Sequence, residues 1–220
     1  MRPSRKGSRP LAILDIDGVL VDTLAANIEA YQYACGRMGL PVPGVDQIRS
    51  LMGLRAEEMA VALGCSPGEA RDFMERYAWP RYEAVVAEGV PTFPGVPDVL
   101  AALADRGVRL TAWTSDRAAL QEVVLSRAGI RGWIEYLHAP GESEHPKPDP
   151  RGLEEIVARF PGAAPRYLID DRGEMLSGAN RIRARRIFAA YGLGVPPLRP
   201  PDGVLRTPLD LLALILPPNS

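Results

Sequence analysis

Short apolar runs alternate with helical patterns along most of this 220-residue chain. The runs that predict strands are LAILD (11–15), VRLTAWTS (108–115), WIEYLHA (133–139), PRYLID (165–170) and RRIFAAYG (185–192). Apolar residues recur at helical spacing between the later runs, over residues 96–107, 116–129, 150–162 and 174–185. Because alternating strands and helices form parallel sheets, we predict an α/β fold with a Rossmann-like parallel sheet core and helices on both faces.

A purely helical segment interrupts this alternation directly after the first predicted strand. Residues 24–88 show only helical patterns, and the chain leaves them through VPTFPGVP (90–97), whose three prolines stiffen a hinge. An insert of this kind predicts a second, smaller unit. We divide the chain into a disordered basic tail (1–10), a Rossmann-like core (11–23 and 93–220) and an inserted α-helical cap domain (24–92).

The C-terminal region begins with a stretch that shows neither a strand pattern nor a helical pattern. The stretch LGVPPLRPPDGVLRTP (193–208) holds too many prolines for regular structure, and we expect none there. The apolar PLDLLALIL (208–216) predicts a last helix that packs on the core.

Composition and charge exclude several classes of partner. With 46% hydrophobic residues, 24% charged residues and a formal net charge of −1, the chain has no bulk field that would attract nucleic acid. No run of 18 apolar residues is present, so we expect no membrane span. Cys35 and Cys65 stand in neither a metal nor a redox spacing, which is typical of a reduced, cytoplasmic protein. The sequence leaves open whether the protein is a monomer or a small homo-oligomer.

Acidic and hydroxyl residues follow the predicted strands at the points where the strands end. The first strand ends in Asp15, Asp17 lies two residues later, and Gly18 allows a sharp turn of the backbone after it. The other groups of this kind are Thr114 and Ser115 after the second strand, Asp170 and Asp171 after the fourth, and Lys147 in the proline-flanked loop HPKPDP. Because the carboxyl ends of parallel strands form the functional edge of such a sheet, we expect these groups to converge.

Several carboxylates at one sheet edge repel one another unless a cation neutralises them. Oxygen ligands without histidine or thiolate suit a hard ion, and Mg²⁺ favours sites that it shares with substrate phosphate. We therefore expect Mg²⁺ as the cofactor and a phosphate ester as the substrate. Within such a site, one carboxylate can attack phosphorus to form an aspartyl-phosphate, while a second acid protonates the leaving group and then activates water.

Each pattern has a simpler explanation when it is taken alone. An Asp-x-Asp pair can be a mere metal site or a capping turn, Thr-Ser after a strand is more often a helix cap than a ligand, and single lysines are usually solvated. The joint order of these groups at successive strand ends favours the catalytic interpretation.

These motifs resemble those of the haloacid dehalogenase superfamily of phosphohydrolases, in the branch with a helical cap that includes phosphoglycolate phosphatase and β-phosphoglucomutase. The resemblance covers residues 11–216. The first motif, Asp-x-Asp-Gly-(Val/Thr)-Leu-x-Asp-(Ser/Thr), is matched in full by DIDGVLVDT and is the most specific signal. The second and third motifs are matched by LTAWTS and KPDP, and the fourth lies in YLIDDRGE.

The resemblance implies four catalytic residues. Asp15 would be the nucleophile and a Mg²⁺ ligand, and Asp17 would be the general acid/base with its backbone carbonyl on the metal. Thr114 would hold the transferring phosphoryl group, and Lys147 would neutralise the nucleophile and the phosphate.

Binding and metal-holding residues are implied in the same way. The substrate-binding set would be Gly18, the backbone of Ser115, and Arg55, and the metal ligands would be Asp15, Asp17, Asp170 and Glu174. Arg55 follows Gly53 in LMGLRAEEM, which resembles the family's substrate-specificity stretch. Its guanidinium would reach a substrate carboxylate or a second phosphate, unless it is a solvated arginine in the first turn of a helix.

The fourth motif departs from the family's Gly-Asp-Ser-x-x-Asp. With Ile169 on the glycine, Asp170 takes the first aspartate position, Asp171 the serine position and Glu174 the second aspartate position. With Asp171 on the first aspartate, Met175 would stand where an acid is expected. We therefore prefer the first register.

The leading expectation is a Mg²⁺-dependent phosphatase, a phosphoric monoester hydrolase acting on a small phosphorylated metabolite. A phosphomutase of the β-phosphoglucomutase type is the nearest alternative, because it uses the same aspartyl-phosphate and returns the phosphoryl group to the sugar. A non-catalytic binding or regulatory protein on this fold is a third possibility, favoured by the altered fourth motif and opposed by the first three.

Overall fold

The computed structural model describes residues 8–52, 54–141 and 143–216. The strands are β1 (Leu11–Leu14), β2 (Arg109–Trp113), β3 (Tyr136–His138), β4 (Arg166–Asp170), β5 (Ala184–Ala189) and β6 (Gly203–Leu205). They form one six-stranded sheet with the order β3-β2-β1-β4-β5-β6, in which all neighbouring strands are parallel. This architecture confirms the predicted α/β fold with a Rossmann-like parallel sheet.

Strand β1 lies in the interior of the sheet, between β2 and β4, because both of its faces are apolar. Ala12 and Leu14 belong to one hydrophobic cluster, and Leu11 and Ile13 belong to another on the opposite face. This alternation is the period of two that a strand imposes on its side chains. The chain therefore delivers Asp15, the next residue, to the carboxyl edge between two neighbouring strands.

The inserted segment (residues 24–92) follows β1, and all of its regular elements in the described ranges are helical apart from isolated bridges. Its α-helices are α1 (Leu24–Arg37), α2 (Val45–Leu51), α3 (Ala56–Ala62), α4 (Ala70–Asp72) and α5 (Trp79–Glu88). A π-helical stretch, Phe73–Ala78, joins α4 to α5 without a break. Pro80 lacks the N–H that a regular α-helix would use there, and its ring would meet the Arg76 carbonyl, which accounts for the wider turn.

Helices cover both faces of the sheet, as predicted. Those that pack with the cluster around Leu14 are α6 (Val96–Asp105), α7 (Ala118–Arg127) and α9 (Asp210–Ile215). Those that pack with the cluster around Ile13 are α8 (Arg151–Arg159) and a 3-10 helix, Met175–Ile182. Helices α1 and α5 of the inserted segment also reach the first cluster, through Ala30 and Tyr82 among others. The inserted segment and the sheet therefore share apolar contacts beside the carboxyl edge.

Two elements differ from the sequence predictions. Residues 193–208, expected to lack regular structure, contain β6, which pairs with residues 187–189 of β5. Hydrogen bonds to a distant strand define this short edge strand, so no local pattern indicates it. Residues 174–185, predicted as one helix, form the shorter 3-10 helix, because Arg183 adopts a left-handed φ of 52° and the chain enters β5 at Ala184.

Three further predictions concerned the N-terminal tail, the two cysteines and membrane spans. Residues 1–7 of the predicted tail lie outside the described residues, whereas Ser8 Oγ donates to the Ala164 carbonyl at 2.6 Å. Cys35 and Cys65 are buried and form no disulfide. In the part of the chain that the structure describes, no helix combines the length and the apolar character needed to cross a membrane.

Candidate active site

Asp15, Asp170 and Lys147 come together at the carboxyl edge of the sheet. Lys147 Nζ lies 2.9 Å from Asp15 Oδ1 and 2.7 Å from Asp170 Oδ2, and it donates to the Trp113 carbonyl at 3.4 Å. All three charged side chains are buried. Burial by itself would lower the pKa of Lys147, but the Asp15 and Asp170 carboxylates outweigh it and raise that pKa. The lysine is therefore a fixed positive charge against both acids.

Helix α8 anchors the loop that carries Lys147. Glu155 on this helix lies 3.1 Å from His138 Nε2 through one carboxylate oxygen and pairs with His145 Nδ1 through the other. His138 ends β3 and His145 lies two residues before the lysine. One carboxylate on α8 thus joins the His145 side chain of the loop to the His138 side chain at the end of β3.

Asp171 completes a cluster of three buried carboxylates. One oxygen from each of Asp15, Asp170 and Asp171 lies within 4.8 Å of the others. Asp171 Oδ2 accepts a hydrogen bond from the Leu193 N–H at 2.7 Å. Gly18 packs against the same oxygen with a φ of +83°, and a Cβ there would lie 2.2 Å from Asp171 Oδ2. Any side chain at position 18 would therefore displace this carboxylate.

The chemistry of this cluster fits a divalent cation. Burial raises the pKa of Asp170 to about 7 against the opposing charge of Lys147, and burial together with the Asp15 charge raises the pKa of Asp171 to about 6. Neighbouring carboxylates that resist ionisation are stabilised by a cation that neutralises them. All three ligand atoms are oxygens, as hard ions prefer. The residues present can therefore hold a divalent metal ion.

Glu174 lies apart from this cluster. Its side chain is 61% exposed and pairs with Arg172 at the surface. Ile169, at the family's glycine position, is fully buried in the hydrophobic cluster around Leu14, which accounts for an apolar residue there. The geometry therefore supports Asp170 as a metal ligand and favours Asp171 over Glu174 as its acidic companion.

Two single substitutions test this assignment. We expect Asp171→Asn to weaken Mg²⁺ binding by a factor on the order of 10 to 100, about 1.4 to 2.8 kcal/mol, because one charged oxygen ligand is lost. Glu174→Gln should leave the affinity almost unchanged, because its carboxylate is already paired in solvent. Isothermal titration of Mg²⁺ into both variants and the unaltered protein measures this. A larger loss in Glu174→Gln would restore Glu174 as the ligand.

Thr114 and Ser115 lie beside the carboxylates at the end of β2. Thr114 is buried, and its Oγ1 accepts a hydrogen bond from the Asp116 N–H at 3.1 Å, which leaves the hydroxyl hydrogen available to donate. The Ser115 N–H donates to no acceptor among the residues that the structure describes. These two groups can supply donors to an anion next to Asp15.

Asp17 faces the same cleft and has two hydrogen-bond donors that the sequence motifs do not indicate. Tyr82 Oη donates to Asp17 Oδ1 at 2.8 Å, and Gln121 Nε2 donates to Asp17 Oδ2 at 2.7 Å. Gln121 also donates to Asp116 Oδ2 at 3.2 Å. Burial and the Asp15 charge raise the pKa of Asp17 above its usual value, and burial and Asp17 raise the pKa of Asp116 to about 7.

A cleft of about 240 Å³ joins these groups, and a larger cavity of about 1130 Å³ adjoins it. The cleft is lined by Asp15, Asp17, Thr114, Ser115, Lys147 and Asp171, and by Met59, Met74 and Tyr82 of the inserted segment. Arg55 lines the larger cavity instead, with Ser115 and Arg172. Gly53, the other residue singled out in this stretch, lies outside the described residues. Arg55 therefore lies beside the cleft and does not line it.

Taken together, the fold and the site define an α/β protein with a buried acidic centre and one lysine at the carboxyl edge of a parallel sheet. A family model described as haloacid dehalogenase-like hydrolase matches residues 12–169. The chain belongs to this family, which confirms the predicted class of enzyme.

Known proteins of similar sequence and structure agree with this membership. The chain is 29% identical to a "Probable phosphatase IndB" of Dickeya dadantii, over 84% of this chain and 83% of that protein. It is 27% identical to a phosphoglycolate phosphatase of Agrobacterium fabrum, over 84% of this chain and 80% of that one. A haloacid dehalogenase-like hydrolase from Streptococcus pneumoniae superposes with a TM-score of 0.80 at 20% identity, covering 94% of this chain and 98% of that one, and thus shares the fold.

Proposed function

We propose that this protein is a Mg²⁺-dependent phosphatase that hydrolyses a small phosphorylated metabolite through an aspartyl-phosphate on Asp15. The observation that carries the proposal is the arrangement around Asp15, whose Oδ1 is held by both the Ile16 N–H and Lys147 Nζ at 2.9 Å. Asp15 Oδ2 accepts no hydrogen bond from the residues described and is the oxygen available for attack. The phosphatases among the relatives support the same reaction class.

The first step breaks the ester bond of the substrate. Asp15 Oδ2 attacks phosphorus, the bond from phosphorus to the ester oxygen breaks, and protonated Asp17 gives its proton to the departing oxygen. The Thr114 hydroxyl and the Ser115 N–H donate to the phosphoryl oxygens as charge shifts onto them. Lys147 offsets the negative charge of Asp15, so that the carboxylate can approach an anionic phosphate.

The second step returns Asp15 to its starting state. Asp17, now ionised, takes a proton from a water molecule, whose oxygen attacks phosphorus on the aspartyl-phosphate. The bond from phosphorus to Asp15 breaks, and inorganic phosphate leaves. Asp15, Asp170 and Asp171 would hold Mg²⁺, which when bound neutralises the carboxylates and the phosphoryl oxygens.

The inserted segment excludes solvent from these steps. Met59, Met74 and Tyr82 line the cleft from this segment, opposite Asp15 and Thr114 of the core. A dry, polar site strengthens each electrostatic interaction made with the reacting groups. The larger cavity beside Arg55 gives room for the part of the substrate that does not react.

The test of this proposal is phosphate release from a panel of phosphoglycolate, sugar phosphates, nucleotides and p-nitrophenyl phosphate. We expect release with Mg²⁺ and none with EDTA, because the uncompensated carboxylates repel the anionic substrate. Conversion of a hexose 1-phosphate to the 6-phosphate without release would instead identify a phosphomutase. Absence of both reactions would overturn the proposal in favour of a non-catalytic protein.

A further inference from the structure

We propose that Tyr82 and Gln121 are positioning residues for Asp17, so that acid/base catalysis requires helix α5 of the inserted segment to lie against helix α7. This inference rests on the role proposed above for Asp17. It adds two residues that neither the family motifs nor the metal cluster includes.

Both oxygens of Asp17 are fixed by direct donors. The Tyr82 hydroxyl holds Oδ1 at 2.8 Å and the Gln121 amide holds Oδ2 at 2.7 Å. Tyr82 is 9% exposed and Gln121 is fully buried, so water competes little for either bond. Two donors on opposite oxygens fix the plane of the carboxylate, and each oxygen keeps a lone pair for proton transfer.

The orientation of the Gln121 amide is set by charge. Its Nε2 lies between the carboxylates of Asp17 and Asp116, at 2.7 and 3.2 Å. Its Oε1 is buried and has no hydrogen-bond partner within the described ranges. A rotated amide would place this oxygen against both carboxylates. A buried carbonyl without a partner is unfavourable for folding alone, so the residue is better explained by what its N–H groups hold.

The two donors come from different parts of the chain. Tyr82 lies on α5 of the inserted segment, and Gln121 lies on α7 of the core. Arg117 and Glu83 form an ion pair between the same two regions. Asp17 thus has both donors only while α5 is docked on α7, which couples the position of the inserted segment to the acid/base.

The main test is Tyr82→Phe, which keeps the ring in the apolar cluster and removes one donor. We expect kcat/KM on the best alkyl phosphate of the panel to fall about 10-fold or more, because this ratio reports the first step, in which Asp17 protonates the departing oxygen. On p-nitrophenyl phosphate the loss should be several-fold smaller, because p-nitrophenolate leaves with little help from an acid. Tyr33→Phe, an exposed tyrosine on α1 of the same segment, is the matched control and should change neither substrate.

A second variant and a double mutant separate positioning from packing. Gln121→Met should show the same dependence on the leaving group, and thermal unfolding of each variant checks that the fold is kept. In an Asp17→Ala background, Tyr82→Phe should not further slow the burst of p-nitrophenolate that accompanies formation of the aspartyl-phosphate, because there is no carboxylate left to position. Equal losses of kcat/KM on both substrates, or a loss that persists without Asp17, would overturn the inference. Failure of the proposed function would differ, since the unaltered protein would then release no phosphate from any substrate.

Discussion

Asp15→Asn is expected to abolish turnover, lowering kcat by a factor on the order of 10⁴ or more, while the fold is retained. The amide is nearly the same size as the carboxylate but cannot form the aspartyl-phosphate. The substitution also removes one charge from the three-carboxylate cluster, so it relieves repulsion with Asp170 and Asp171. Phosphate release with saturating Mg²⁺ measures the loss of turnover. Thermal unfolding measures whether the fold is retained.

The matched control for Asp15→Asn is Asp105→Asn, at the exposed C-terminal end of α6. It makes the same chemical change far from the cleft and should leave kcat unaltered. Retention of most activity in Asp15→Asn, with the control unchanged, would remove Asp15 as the nucleophile. A cation-dependent activity that survives this substitution would point to attack by a water molecule instead.

Lys147→Met is expected to destabilise the metal-free protein by about 3 to 5 kcal/mol at pH 8, because it leaves buried carboxylates without their counter-charge. Lys147 Nζ contacts Asp15 at 2.9 Å and Asp170 at 2.7 Å, and methionine retains much of its volume without the charge. Turnover should be lost as well, since the phosphate would meet an uncompensated Asp15. Denaturant unfolding in EDTA measures the stability, and phosphate release measures the activity.

The loss of stability in Lys147→Met should depend on pH in a defined direction. The pKa of Asp170 is about 7 and that of Asp171 is about 6, both above the value of 3.8 expected for an unperturbed aspartate, and removal of the lysine raises them further. The folded state then binds more protons than the unfolded state from about pH 4 up to the raised pKa values, so stability falls as pH rises through that window. The variant should therefore be less impaired at pH 5 than at pH 8.

Two controls test whether the loss of stability in Lys147→Met comes from the lost charge at the buried cluster. Arg71→Met should change stability little, because the Arg71 pair with Glu75 is exposed to solvent. Saturating Mg²⁺ should recover part of the stability lost in Lys147→Met, because a cation replaces the missing charge. A pH-independent loss, or none at all, would show that Lys147 does not neutralise the cluster.

The sequence alone determined the α/β class, the helical insert and the residues at the strand ends. Each follows from local patterns, since apolar periodicity identifies strands and helices, and parallel strands present their carboxyl ends at one edge. For that reason Asp15, Lys147 and Asp170 could be predicted to meet, although 132 residues separate Asp15 from Lys147 in the chain.

Tertiary structure decided what local patterns cannot encode. Tyr82 and Gln121 reach Asp17 from 65 and 104 residues away, on helices whose own sequences give no sign of a catalytic neighbour. The position of Asp171 in the cluster depends on Gly18 and the Leu193 N–H, which lie on separate loops. Strand β6 likewise exists because β5 provides its hydrogen bonds. In each case the free energy comes from a contact between distant segments, so only the packed chain specifies which residues the site contains.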